Sequence, residues 1–419
     1  MGYTKHVFIA DSEASARINA TTLNEMEQGI ADAVPREVAS QPGTPWDMPT
    51  ILVRDTLRAS VEAASGGLVT ILYDDQGNPS YMRVIPRFNV QDIHADLGTG
   101  THPAFLVNGT EKSYIFIGMV PASSGAGGRA VSIPGRDPWT TVNFDGAKAA
   151  CTGKGAGWHM MSNWEWAAIS LWCLKNGFQP RGNTYYGEAH DAPFETSPRA
   201  DGAAPGLAGG TGRTKVGLGP LSWRHDGGPF GIADLVGDVW EWQDGMKLVD
   251  GQIVMPNDNN FALAESSWPA QGVFFDSNGN TGTDASASLN GAPVLSNARA
   301  TPSDDCGNGL GPDAPDYDYT QIDGEAGWRS TTMASGYDSL SASIRQRMMQ
   351  SLISAKISST GSAPFACKGY VSARNYGERL PIRGGSWYDG ADGGLGALGL
   401  YYRRSDVYWG IGFRLAFIG

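Results

Sequence analysis

The stretch "RGGSWYDGADGGLGALGLYYRRSDVYWGIGFRLAF", Arg383 to Phe417, most constrains what this chain can fold into. Its two ends read as strands of a packed core. Phe413, Leu415 and Phe417 alternate onto one face, as a half-buried strand requires. Its middle is glycine, aspartate and tyrosine, with no ordinary core period. Such a middle suits a contact surface. Tyrosine supplies area and a hydroxyl at low entropy cost, while Gly and Asp supply fit and hydrogen bonds, as in antibody paratopes. Exposed aromatic clusters usually mark contact sites. The spacing predicts a loop clamped between two rigid ends, with Leu395, Leu398 and Leu400 anchoring it from beneath. Arg383 and Arg414 flank it and can pair with buried carboxylates or carbonyls. The alternative is an ordinary tyrosine-rich turn.

Composition supports a frame able to hold such a loop. Of 419 residues 41% are hydrophobic, enough for a core. Only 18% are charged, and 57 glycines with 13 tryptophans point to a loop-rich α+β domain rather than a helical bundle. The length admits one large domain or two to three ordinary ones. A net charge of -12 with no basic stripe argues against nucleic acid and against anionic membrane surfaces. No apolar run is long enough for membrane insertion. The start has too short an apolar run for a signal peptide, so the expectation is synthesis in a cytoplasm. The four cysteines form no Cys-x-x-Cys pair, which excludes a zinc site on that spacing. A Cys306–Cys367 bridge stays open.

Residues 11–34 place Leu23, Met26, Ile30 and Val34 on one helical face, with Asn19 or Thr21 as cap. A lone short helix needs a partner. Pro35, Pro42, Pro45 and Pro49 then mark a linker. The expected organisation is residues 1–50 as an attachment and oligomerisation segment and 51–419 as one domain, with an insertion at 245–378. Two apolar runs around Gln76-Gly77-Asn78-Pro79 predict a hairpin. Tyr114 to Val120 reads as a strand. Helices are expected at "DGAKAAC" and at "SNWEWAAISLWCLKNG". In the second, Ser162 and Glu165 form a capping box, Trp164, Ala168, Leu171 and Trp172 share a face, and Gly177 suits the stop. A further helix is expected at 339–354, capped by Asp338, with Leu340, Ile344, Met348 and Leu352 on one face. Residues 181–230 and 270–318 read as long loops, which are uncommon unless functional.

Several motifs fail. "TGKGAG" lacks the spacing of a phosphate loop, and neither G-x-S-x-G nor H-E-x-x-H occurs. The six scattered histidines read as structural. "GIADLVGDVWEW" is more specific. Asp234 and Asp238 sit around Gly237 just before a Trp-Glu-Trp strand, and carboxylates with turned carbonyls suit calcium. The alternative is a turn whose aspartates cap backbone amides.

Together "SNWEWAA", "GPLSWRHDGGPFGIADLVGDVWEW" and "RGGSW…IGFRLAF", in that order, resemble the formylglycine-generating-enzyme type of C-type lectin fold over roughly residues 60–419. That family's catalytic members carry cysteines just after the Gly-Gly-Ser-Trp strand. Tyr388 and Asp389 stand there here, and no cysteine follows Cys367. Copper-thiolate oxidation needs those sulfurs. The resemblance therefore implies the fold, no catalytic residues and no required cofactor. It also implies a structural calcium at Asp234 and Asp238.

The C-terminal stretch is similar, more narrowly, to the variable region of diversity-generating retroelement proteins, the group that includes phage tropism determinants. There an error-prone reverse transcriptase randomises adenines, turning Asn codons into Tyr, Asp and Gly codons. The expected variable positions are Tyr388, Asp389, Asp392, Gly399, Tyr401, Tyr402, Asp406, Tyr408 and Gly410. Leu395, Ala397, Leu398, Leu400, Arg403, Arg404 and Trp409 are expected to stay fixed. The start of the chain is similar to that of phage tail proteins. The resemblances imply a phage-tail receptor-binding protein on the virion. It would be a homotrimer that binds a host cell-surface protein or glycan and contacts tail or baseplate proteins through its N-terminus. A fixed-specificity calcium-dependent adhesin and an oxidase of the formylglycine-generating type are the alternatives.

Overall fold

Apolar runs separated by glycine-rich turns favour sheets. The described residues form a mixed α+β structure, mostly sheet with few helices. The computed structural model describes residues 55–276, 294–297, 328–330, 334–336, 340–356, 362–373 and 377–419. The expected helix at 11–34, the proline linker, Cys306 and Asp338 lie outside the described residues. The chain divides into two compact units, Met1–Ala59 and Ser60–Gly419.

Helix α1 (Thr56–Ser65) was not expected from the sequence. Asp55 Oδ1 accepts the Arg58 N–H at 3.0 Å, and its alanines favour helix. The predicted hairpin forms as β1 (Val69–Tyr73) and β2 (Pro79–Pro86), in antiparallel register with Val69 opposite Arg83. Asp74 builds its turn, because Asp74 Oδ1 accepts the N–H groups of Gln76 and Asn78 at 3.0 and 2.8 Å. Strand β3 (Tyr114–Gly118) pairs with β2. Helix α2 (Phe144–Thr152) is capped by Asn143, and β4 (Trp158–Met160) follows.

Helix α3 (Asn163–Lys175) carries the predicted capping box, with Ser162 and Glu165 bonding reciprocally at 3.2 and 2.9 Å. The expected single apolar face does not hold. Trp164, Trp166, Ala167, Ala168 and Ile169 are all buried, and Trp172 is only partly so. Even Glu165 is buried, where its carboxylate meets Ser162, His159 and Asn259. A helix enclosed on nearly all sides has no polar stripe.

Strand β5 (Trp240–Trp242) opens the second sheet. Residues 270–276, expected in a loop, form a strand paired with Gln252–Val254, because Val273 and Phe275 alternate into the core. Helix α4 (Ala342–Gln350) is shorter than expected. Ser341 caps it at the Ile344 N–H, and Leu352 leaves it with φ 53°. Leu340 and Leu352 are buried from just outside its ends.

The last five strands are β6 (Val371–Ala373), β7 (Glu378–Gly384), β8 (Gly394–Tyr402), β9 (Ile411–Phe413) and β10 (Leu415–Phe417). Two corrections follow. Residues 394–402 are not a clamped loop but a strand inside the sheet, between antiparallel β7 and parallel β6. "GFRLAF" is not one strand but two. Its first half pairs with β5 in the second sheet. Its second half lies between β3 and β4 in the first sheet, which runs β1-β2-β3-β10-β4. Arg414 sits at the crossing. Among the described residues no helix is long and apolar enough to cross a membrane.

Candidate functional site

Two buried arginines hold the frame. Arg414 forks onto Glu241 of β5, at 3.0 Å from Nε to Oε2 and 2.6 Å from Nη2 to Oε1. Arg414 also donates to the carbonyls of Gly118, Ala233 and Asp234. A bidentate pair of this kind fixes orientation as well as energy. It explains why Gly-Phe-Arg and Trp-Glu-Trp occur together: one motif neutralises the other. Arg383 is equally buried but meets no carboxylate among the described residues. It donates to Asn163 Oδ1 and to the carbonyls of Ser351 and Leu352. Burial lowers its pKa to about 9.

The frame supports a concave cleft of about 660 Å³. Six of the nine predicted contact residues line it: Tyr388, Asp389, Tyr401, Tyr402, Asp406 and Tyr408. Tyr401 and Tyr402 end β8, and their rings lie 4.2 Å apart. Tyr402 continues to Tyr408 at 6.2 Å, and Tyr408 to Trp409 at 5.5 Å. Trp409, expected in the fixed set, stands at the surface with 40% exposure against the ring of the buried Trp387. The Tyr388 phenol is pushed up by burial and by donating to Tyr408. Asp389 is raised too, by burial first and by Asp392 nearby. Its carboxylate accepts the Ser386 N–H at 2.6 Å and Ser386 Oγ at 2.9 Å, and it bonds the Trp240 side chain. Asp406 Oδ2 accepts the Arg403 N–H at 2.7 Å and closes the 403–406 turn.

Three predicted residues do not line the cleft. Asp392 is part-exposed beside it, and its carbonyl accepts the Tyr370 N–H. Gly399 and Gly410 are buried. A Cβ on Gly399 would stand 2.7 Å from Ile382 Cγ1, so this glycine exists for close strand packing rather than for contact. The leucines and Ala397 are buried, as the anchoring reading requires, though as part of a strand.

Asp234 and Asp238 are buried with φ of 58° and 62°. Asp234 Oδ2 accepts the Gly217 N–H at 2.6 Å. Asp238 Oδ1 accepts from Thr214 N, Thr214 Oγ1 and Asn183 Nδ2 at 2.6, 3.0 and 3.0 Å. The carbonyls that would complete a calcium cage are committed: Asp234's to Arg414 and Asp238's to the Trp387 N–H. Among the described residues no third His, Cys, Asp or Glu joins the pair. Calcium takes six to eight oxygens. The described bonds build an aspartate-held turn, in which Asp238 Oδ2 is buried without a hydrogen-bond partner among the described residues. Burial, then mutual repulsion, raises Asp238 to about 7.

No family model matches the chain, and no curated protein does. The reading of the site rests on its own geometry.

Sequence reasoning missed four cleft residues: Trp240, Tyr370, Ser405 and Val407. Tyr370 comes from the expected insertion at 245–378, and its ring meets Trp240 edge-on at 5.7 Å. No local signal marks it. The insertion also braces the cleft through Arg404, which bonds Glu378, Asp145 and Glu265 at 2.8, 2.7 and 2.5 Å. Burial opposes that charge, but the three carboxylates outweigh it and raise the guanidinium. Lys148 and Lys247 join the same acids. Chemically the cleft offers aromatic faces, hydroxyls and carboxylates.

Proposed function

We propose that this chain is a phage-tail receptor-binding protein of the C-type lectin fold, displaying a diversified site for non-covalent host-surface ligands. One observation supports the reading most. Tyr388, Asp389, Tyr401, Tyr402, Asp406 and Tyr408, chosen for their residue types, gather on one cleft, while Leu395, Ala397, Leu398 and Leu400 between them are buried. A fixed floor under a part-exposed aromatic rim is what a surface that varies without unfolding requires. Homotrimers on a virion would multiply weak contacts. The N-terminal segment would attach to tail or baseplate proteins, and no catalytic residue or cofactor is assigned.

Sequencing the 3′ end of this gene and its downstream DNA from many clones of one population tests the reading. The expected result is varied codons at those six positions, a nearby near-copy with Asn codons, and fixed Arg383, Trp387 and Phe413. Identical clones without a template or reverse transcriptase nearby would overturn it. The fixed, calcium-dependent adhesin would then be screened on glycans with and without calcium.

A further inference from the structure

We infer that the cleft takes a cationic side chain, with arginine as the fitting chemistry, presented by a surface protein. This inference rests on the proposed binding role of the cleft and names its ligand class. It follows from what the cleft holds and what it lacks. Its walls are the rings of Tyr388, Tyr401, Tyr402 and Tyr408, and its only charged lining residues are Asp389 and Asp406. Among the described residues lining it there is no Lys, Arg or His. Asp392 adds a third negative charge within electrostatic reach of Asp389.

Neither neighbouring arginine lines the cleft. Arg404 is engaged by three carboxylates, and Arg403 lines the separate groove beyond Ser405. A cation within about 6 Å of a ring face is attracted by its quadrupole, and guanidinium is the commoner protein partner. Guanidinium also stacks flat on tyrosine while its edge forks onto a carboxylate, which ammonium cannot do. An anionic ligand would meet the aspartates of a chain whose net charge is already -12. A neutral glycan would use the rings but leave the carboxylates without a cation.

The test uses the full chain and two capped tripeptides that differ in one residue, arginine against its neutral isostere citrulline, with binding followed by intrinsic fluorescence. The arginine peptide should bind about tenfold more tightly, and Asp406→Asn should remove most of that preference by weakening the arginine peptide more than the citrulline peptide. Asp406→Asn keeps an acceptor for the Arg403 N–H, so the turn stays closed. Added salt should weaken only the arginine peptide. Equal binding of the two peptides, binding of neither, or tighter binding of a neutral oligosaccharide overturns the inference. The binding role is tested separately, by host-cell attachment with Tyr401→Ala/Tyr402→Ala. If attachment is lost in that variant while arginine peptide does not compete with the unaltered chain, only the ligand class falls.

Discussion

The floor of the cleft and its rim come from one stretch of chain and differ in what each residue touches. Gly399 and Tyr401 are two residues apart on β8. Gly399 has no room for a Cβ, whereas Tyr401 is half-buried with its ring against the cleft. Arg414 is sealed in a pair with Glu241, while Arg404 reaches part-exposed acids at the edge. The floor's contacts are dry and short, so each change there costs stability. The rim's contacts face solvent, so each change there alters what can bind. Residue type alone does not separate them, since arginine serves both.

Removing Arg414 should have the largest effect. Arg414→Met leaves Glu241 buried without its partner, and the cost expected is about 3–5 kcal/mol in urea unfolding. A loss under about 1 kcal/mol would mean the pair is not sealed. On the rim, Tyr401→Ala/Tyr402→Ala should weaken ligand binding by about 2–4 kcal/mol with little change in melting temperature. Loss of the fold instead would move these tyrosines to the floor. Gly399→Ser should destabilise by about 1–3 kcal/mol through overpacking against Ile382. Free variation at 399 among clones would break the division between floor and rim. Arg404→Ala should cost about 1 kcal/mol of stability, and ligand affinity should fall as the 403–406 turn loosens.

A further effect concerns pH. The folded carboxyl of Asp238 sits near 7, above its ordinary 3.8. The native state therefore holds this proton more tightly than the unfolded chain. The stability from this group is full below 3.8 and is lost as the pH rises through 7. Asp238→Asn should flatten that fall, read as melting temperature from acid to neutral pH, because the amide oxygen still accepts from Thr214. An unchanged slope would place the titration on another group.

Local features were the legible ones. The hairpin turn predicted around Gln76–Pro79 and the Ser162–Glu165 box were readable, because each depends on residues a few positions apart. The misreadings share a cause. Residues 394–402 read as loop since their glycines hide the strand period, yet those glycines let β8 lie close to its neighbours: a Cβ on Gly394 would stand 2.1 Å from the Lys368 carbonyl oxygen. α3 read as amphipathic, but burial on nearly all sides left no polar stripe.

The sequence by itself determined which chemistry reaches the surface near the C-terminus and where the short-range caps and turns fall. These follow from side-chain type and from spacings of two to four residues. Only the tertiary structure decided which glycines belong to the floor, that "GFRLAF" is shared between two sheets, and that Tyr370 of the insertion joins the cleft. It also decided that Arg414 finds Glu241 173 residues away and Arg404 finds Asp145 259 residues away. Contacts between such distant residues are set by strand register and crossing, which no local pattern encodes.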